Sequence, residues 1–520
     1  MEKLYIAFSR LCSDFRFDAF PVYNRDTVQR AANIRRLPPF LIALAAAICG
    51  FGCTAALGPG YSIDKQEIEV HFIPAPEPTI HIDATYQLRN DGIRPLNVLE
   101  LRLPGRRRFH FADPQVEWDG HSVTLDISPD NRRNSILNLQ NAWMVSDSHV
   151  LKLSVEYKQA GKGEHNFSFA LDAFFLPSEG WSPQLMPARG AFAKGGIPPA
   201  KWQMTIRVPQ DFLVHASGEK PKKSKSNGEQ VIRYTQRPKD GYPFVIAGRY
   251  VASKFKAEPD TVTLWSRAEQ NTDALRQSAQ GLASAMKAYD GMFGKRVQNS
   301  RDLWLVECPV VDSCFSTAAS YFSGMINDPG TKPTAEMASL DTVMVDLSNG
   351  APDVVAAAGP SLASTWLGYG QNPGFYEQDP PLAALPAFAA IRGREAAGGP
   401  QIRTTAIRRA LKDVPLEGHP GKESDNVVRA KSLLLFFALQ DRYGQKAFSD
   451  ALSHMLYARR RGGFDITDLI SAFDQETHQN VGEFVRHWMK RPGVPQDFRS
   501  RYEGETSADV QGFQLKETTP

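Results

Sequence analysis

Apolar and polar positions alternate with a period of two through much of residues 65–252, which predicts a β-rich region. Ile68-Glu69-Val70-His71-Phe72-Ile73, Thr79 to Tyr86 and Val150 to Tyr157 carry the pattern, with Gly, Asn, Asp and Pro between them. That period points one row of side chains at a core and the other at water. Asn90-Asp91-Gly92 and Ser226-Asn227-Gly228 read as hairpin turns, because Asn and Gly tolerate the left-handed conformations that tight turns need. Lys220, Lys222, Lys223 and Lys225 flank the second turn and read as a solvated hairpin tip. After Lys254 the period lengthens. Thr272 to Phe293 places Leu275, Ala279, Leu282, Ala285, Met286 and Tyr289 at helical spacing and closes at Gly294. Leu303 to Val306 and Thr342 to Asp346 read as strands. From about Asp425 the chain reads as helices: Val427 to Tyr443, Ala447 to Arg461, one capped by Asp465 or Thr467, and Val481 to Lys490. The arginines at 459–461 complement a helix carboxyl end.

The segment from Phe40 to Leu57 breaks both patterns. It is uncharged and apolar, and Arg35 and Arg36 precede it. A run of roughly 18 residues at about 1.5 Å each just crosses the hydrocarbon core of a bilayer. Flanking arginines favour the amino terminus inside and the bulk outside. The expectation is a transmembrane helix or signal anchor over 37–58, with 1–36 a cytoplasmic segment or a mis-called start. The protein is then at a membrane, with the bulk of the chain on the extracytoplasmic side. Cleavage of the run as a signal and lipidation at Cys53 are the alternatives, although Gly50 is a poor lipobox residue.

Composition is that of an ordinary globular chain of 520 residues, 42% hydrophobic and 22% charged, long enough for two or three domains. A net charge of +3 and no basic patch interleaved with aromatics argue for no nucleic acid partner. Of five cysteines, Cys12, Cys49 and Cys53 lie before or within the apolar run. Cys308 and Cys314 are close enough for a loop disulfide or equally for two buried thiols, and no second Cys or His pair makes them a metal site. His71, His81, His110, His121, His149, His165 and His215 read as ordinary strand and loop residues.

The stretch Gly359 to Gly368 organises the second half. Zinc peptidases carry H-E-x-x-H on a helix: two His one turn apart bind the metal and the Glu acts as general base. The pattern H-E-L-A-H-Q-W-x-G would fall on Pro360 to Gly368. Leu362, Ala363, Trp366 and Gly368 match it, whereas Pro360, Ser361 and Ser364 stand where His, Glu and His would be. No His occurs between His215 and His419, so no shifted frame restores the motif. The segment Pro380 to Ala390, where a third ligand would come from, contains no acid.

In the order of its parts the chain after the apolar run resembles the membrane-alanyl-aminopeptidase family of zinc metallopeptidases (gluzincins). Phe174-Phe175-Leu176-Pro177 with Trp181-Ser182-Pro183, Ile206 to Pro209 with Ala216 to Gly218, and Phe244 to Tyr250 resemble the family's β-domain strands. Phe448, Asp468, Phe473, Phe484, Trp488 and Arg491-Pro492-Gly493-Val494-Pro495 are similar to its helical end. The resemblance implies an α+β fold. An amino-terminal β-sandwich or saddle domain would occupy 61–254, a thermolysin-like α/β domain of catalytic type 255–400, and a helical carboxy-terminal part 401–504; the tail 505–520 is polar and reads as disordered.

The resemblance also implies where chemistry would sit. The family's G-x-M-E-N Glu binds the substrate's free amino terminus. Here Ser323-Gly324-Met325-Ile326-Asn327 takes that place, with Ile326 for the Glu, so charge-assisted recognition of an ammonium is gone. The Tyr that stabilises the oxyanion corresponds to Val427. The expectation is a pseudoenzyme with its zinc site lost and no cofactor, which binds a peptide or protein partner in the cleft. One alternative is a metallopeptidase with ligands recruited from residues such as Glu377, Asp379 or His419. The other is a serine hydrolase in which Ser361 sits in a nucleophile elbow after a strand at Val354-Val355, with His419 as base.

Overall fold

The computed structural model describes residues 59–503 except 104–109, 112–113, 129–133, 159–167, 178–180, 189–195, 238–242, 259, 269–271, 297–301, 311–334, 340, 348–353, 369–379, 400, 417–423 and 459–463. The apolar run and the Ser323–Asn327 segment therefore lie outside the described residues.

The first part is built on a nine-stranded sheet. Ser62–Ile73 runs antiparallel to Thr79–Arg89 and parallel to Trp202–Pro209, and Ser148–Lys158 continues the antiparallel pairing beyond Thr79–Arg89. The period of two sends Ile68, Val70, Phe72, Ile80 and Ile82 inward, and leaves Glu69, His71, His81 and Asp83 on the outer face. Two four-stranded sheets cover the inner face, one over each half. Ala173–Leu176, Val245–Gly248, Leu213–Ala216 and Ser168–Phe169 close one core, and Leu96–Arg102, Ser135–Trp143, Gln184–Met186 and Asp126–Ile127 the other.

The second expected hairpin is present: Lys222–Ser226 and Glu229–Thr235 pair through Asn227 and Gly228, whose φ values of 50° and 80° are both positive. The first is not. Thr79–Arg89 and Leu96–Arg102 belong to different sheets, so Asn90-Asp91-Gly92 turns the chain across the core instead of back along it. The cause is Asn90, fully buried, whose Nδ2 donates to the carbonyls of Arg94 and Trp143.

A five-stranded sheet follows, in the order Val251–Ala257, Asp260–Ser266, Asp302–Glu307, Thr342–Val345, Ala335–Ser339. The middle three are mutually parallel and the two edge strands antiparallel. Both faces are covered. Leu264, Leu303, Leu305, Val343 and Val345 face helices, while Trp265, Val306 and Met344 meet Phe175 and Ile246 of a four-stranded sheet and the adjoining Phe244. Two-sided burial is why Ala173–Leu176, Val245–Gly248 and Thr342–Val345 are apolar at almost every position.

The helices among the described residues are α1 (Thr272–Phe293), α2 (Val354–Leu367), α3 (Pro380–Ala383), α4 (Leu385–Gly398), α5 (Gln401–Asp413), α6 (Asp425–Ala458), α7 (Ile466–Thr477), α8 (Val481–Lys490) and α9 (Gln496–Glu503). α6 spans the two helices expected on either side of Gly444, whose φ of 81° and ψ of 161° break it there. Asp465 caps α7 through a capping box with Asp468. The whole is the α+β arrangement expected: a β domain, a mixed sheet with helices, and a helical end.

Candidate functional site

α2 carries Pro360 to Leu367, in the stretch where the resemblance would put the metal-binding helix. Gly359 interrupts it with φ 48° and ψ −144°, a conformation open to glycine and strained for other residues. Pro360 then begins the second helical piece, where a missing N–H costs no hydrogen bond. Val354-Val355 is thus helix, not the strand that a nucleophile elbow requires. That removes the structural premise for Ser361 as a hydrolase serine. His419, its supposed base, lies outside the described residues, as do Glu377 and Asp379.

The residues that match the family pattern are packing residues. Leu362, Ala363 and Trp366 belong to the main core. Trp366 lies edge-on to Tyr289 at 5.1 Å, donates its indole N–H to Asp290 Oδ1 at 2.8 Å, and has the Arg296 guanidinium over its ring at 5.5 Å. Gly368, with φ 75°, donates its N–H to Ser364 O and ends the helix. The residues at the chemical positions turn inward without gathering ligands. Ser361 and Ser364 are buried, at 8% and 7% exposure. The Ser364 hydroxyl donates to Pro360 O at 3.1 Å, and the neighbouring Thr365 hydroxyl to Leu362 O at 2.7 Å. Against them packs α4, whose buried residues are Leu385, Pro386, Ala387, Phe388, Ala389, Ala390, Ile391 and Gly393. Gly393 is required there, since a Cβ would lie 2.5 Å from the Tyr289 hydroxyl.

Zinc takes thiolate, imidazole or carboxylate ligands. Pro360, Ser361 and Ser364 supply none, and no group of three or more His, Cys, Asp or Glu is placed to hold a metal among the described residues. These residues do not fit the family's zinc. Val427 lies half-buried in the first turn of α6, its N–H on the Ser424 hydroxyl at 3.5 Å. The cavity beside Trp366 is lined by Phe293, Gly294, Lys295, Ser453, His454, Leu456 and Tyr457, and includes neither serine of α2.

Sequence reasoning missed a polar chain between the β domain and the five-stranded sheet. His215 stacks on Trp304 at 4.0 Å and meets Phe244 and Trp265 edge-on. Its Nε2 lies 2.9 Å from Thr342 Oγ1, which donates to Asp341 Oδ1 at 2.8 Å, where the Ser339 hydroxyl also donates at 2.5 Å. Thr342 has one proton and gives it to the carboxylate, so His215 is the donor to Thr342. Enclosure by the rings pushes the imidazole down to about 4, against the opposing pull of the Asp341 carboxylate. At Asp341 burial pushes the carboxyl up, but the His215 charge, the Ser339 and Thr342 hydrogen bonds and the Arg237 charge outweigh it and hold the carboxyl below the usual range. No sequence signal links residues 127 positions apart. Cys308, in the apolar layer beside this chain, is disulfide-bonded, while Cys314 lies outside the described residues.

Among the described residues no helix is long and apolar enough to cross a membrane. No sequence-family model matches the chain, and no curated protein does. Solved structures do match. The M1 zinc metallopeptidase from Deinococcus radiodurans is similar at a TM-score of 0.57 and 14% identity, covering 84% of this chain and 95% of that one. A point variant of that enzyme bound to a Tyr-Ser-Ala substrate is similar at a TM-score of 0.56 and 15% identity, covering 84% and 96%. At this identity the likeness is one of fold: the chain has the M1 peptidase-like fold.

Proposed function

We propose that this is a membrane-tethered, aminopeptidase-like protein without peptidase chemistry, which holds a peptide or a partner's loop in the cleft between its β domain and its helical part. It is read as a divergent member of the zinc aminopeptidases. The observation that carries the reading is α2, which keeps Leu362, Ala363 and Trp366 in the core and satisfies Ser364 on its own backbone. Ile326 and Val427, at the amine-binding and oxyanion positions, add no charge or hydroxyl. Ala335–Ser339, at the end of the five-stranded sheet, supports the binding half of the proposal. Thr342–Val345 pairs with one of its sides, and no described strand pairs with the other, so an extended peptide could add there as a further strand. The tether is Phe40 to Leu57.

Elemental analysis of the dialysed full-length protein tests the chemistry. No stoichiometric zinc is expected. A full equivalent would overturn the reading and direct attention to Glu377, Asp379 and His419. A peptide library passed over the immobilised protein tests the binding half: retained extended peptides support it, and an empty eluate removes it.

A further inference from the structure

Two turns of the β domain meet where the described chain begins. Asn90 holds them together: its Nδ2 donates to Arg94 O at 3.2 Å and to Trp143 O at 2.9 Å, its Oδ1 accepts from Gly92 N at 3.1 Å, and its carbonyl accepts from Ser146 N at 2.7 Å. The same turns send Leu96 and Trp143 into the core, at 6% and 1% exposure. Their tips do the opposite. Ile93, Met144 and Val145 are 55%, 52% and 41% exposed, so three large apolar side chains share one rigid end of the domain.

The chain arrives at that same end. Ala188 N donates to Pro59 O at 2.8 Å, and a Cβ on Gly92 would lie 2.5 Å from Gly60 O. The Tyr61 hydroxyl donates to Met186 O at 2.6 Å, and its ring packs 5.5 Å from that of Trp143. Pro59 is therefore fixed beside the turn that carries Ile93. The apolar run ends at Leu57, and two residues of fully extended chain reach about 7 Å.

We propose that this end of the β domain rests on the bilayer, with Ile93, Met144 and Val145 set at the boundary between headgroups and acyl chains. The proposal rests on the reading of Phe40 to Leu57 as a membrane span. Lipid is the occupant because Pro59, two residues past the end of the run, is held beside the turn that carries Ile93, so a span ending at Leu57 delivers that turn to the surface it emerges from. Exposed Asp91 and Asp147 offset Arg94, so apolar insertion and not attraction to anionic headgroups makes the contact. Span and tips together are two attachments, which hold the domain at one tilt.

The test uses the full chain in phosphatidylcholine nanodiscs, with an environment-sensitive fluorescent amino acid in place of Met144 or, as reference, of Tyr457 in the helical part. Nitroxide-bearing lipids are expected to remove most emission at 144 and little at 457. The double substitution Ile93→Ser with Val145→Ser should restore the emission at 144 while the chain stays in the disc. Equal quenching at both positions in a chain that co-elutes with discs overturns the proposal and leaves the span intact. A chain that does not co-elute with discs removes the span reading, and the proposal with it.

Discussion

Two places in this molecule bury hydroxyl groups, and they satisfy them differently. On α2, Ser364 and Thr365 donate to carbonyls of their own helix, so they ask nothing of α4 packed against them. Between the β domain and the five-stranded sheet, Ser339, Thr342, Asp341 and His215 form one chain that two domains must complete together. A hydroxyl bonded within its own helix is indifferent to its neighbours, which is how a polar pair can stay buried beside an all-apolar surface. A hydroxyl bonded across a domain boundary makes the packing conditional on register.

The largest expected effect tests whether α2 is held by its apolar members. Trp366→Ala removes a core indole, its bond to Asp290 and its contacts with Tyr289 and Arg296, and should lower stability by about 4 kcal/mol in chemical denaturation. A cost near zero would mean that α2 is not anchored as described.

Next is the pH response of the junction. His215 titrates near 6.5 when unfolded, whereas the rings around it push the folded value down to about 4. The unfolded chain therefore binds the proton first. His215's contribution is fully present above pH 6.5, falls as pH drops, and levels off below about 4. The full shift would be worth about 3 kcal/mol, and partial exposure of His215 trims it to on the order of 2 kcal/mol. The Arg237 charge acts in the same direction as burial and the Asp341 carboxylate against it. His215→Phe should flatten the stability profile between pH 6.5 and 4. An unchanged slope would show that the imidazole is not enclosed.

The smallest effect sharpens the contrast. Ser364→Ala removes only a bond within one helix turn and should change stability by less than about 1 kcal/mol in the same denaturation experiment. A larger loss would reveal a partner for Ser364 beyond its own backbone.

Much of the fold is legible in the chain because helices and strands are written in local spacing. The period of Thr272–Phe293 and Val481–Lys490 reproduces both helices residue for residue, and of the two caps the sequence offers for α7, Asp465 and Thr467, Asp465 is the one used. Asn90-Asp91-Gly92 is the counterexample. Its turn chemistry is visible, but the direction the chain leaves in depends on two carbonyls that a buried side chain finds in another turn. That Pro360, Ser361 and Ser364 offer no imidazole or carboxylate is likewise plain from the residues, because no folding can give a serine an imidazole.

Side-chain identity and local periodicity are properties of short stretches, so the residue types at Pro360, Ser361 and Ser364, the β-rich half and the helical end can be read without coordinates. Which polar groups meet is a property of packing. The partnership of His215 with Thr342, and that of Asn90 with the Trp143 turn, arise when sheets close on one another and bring distant residues within bonding distance. No period or spacing along the chain encodes those encounters.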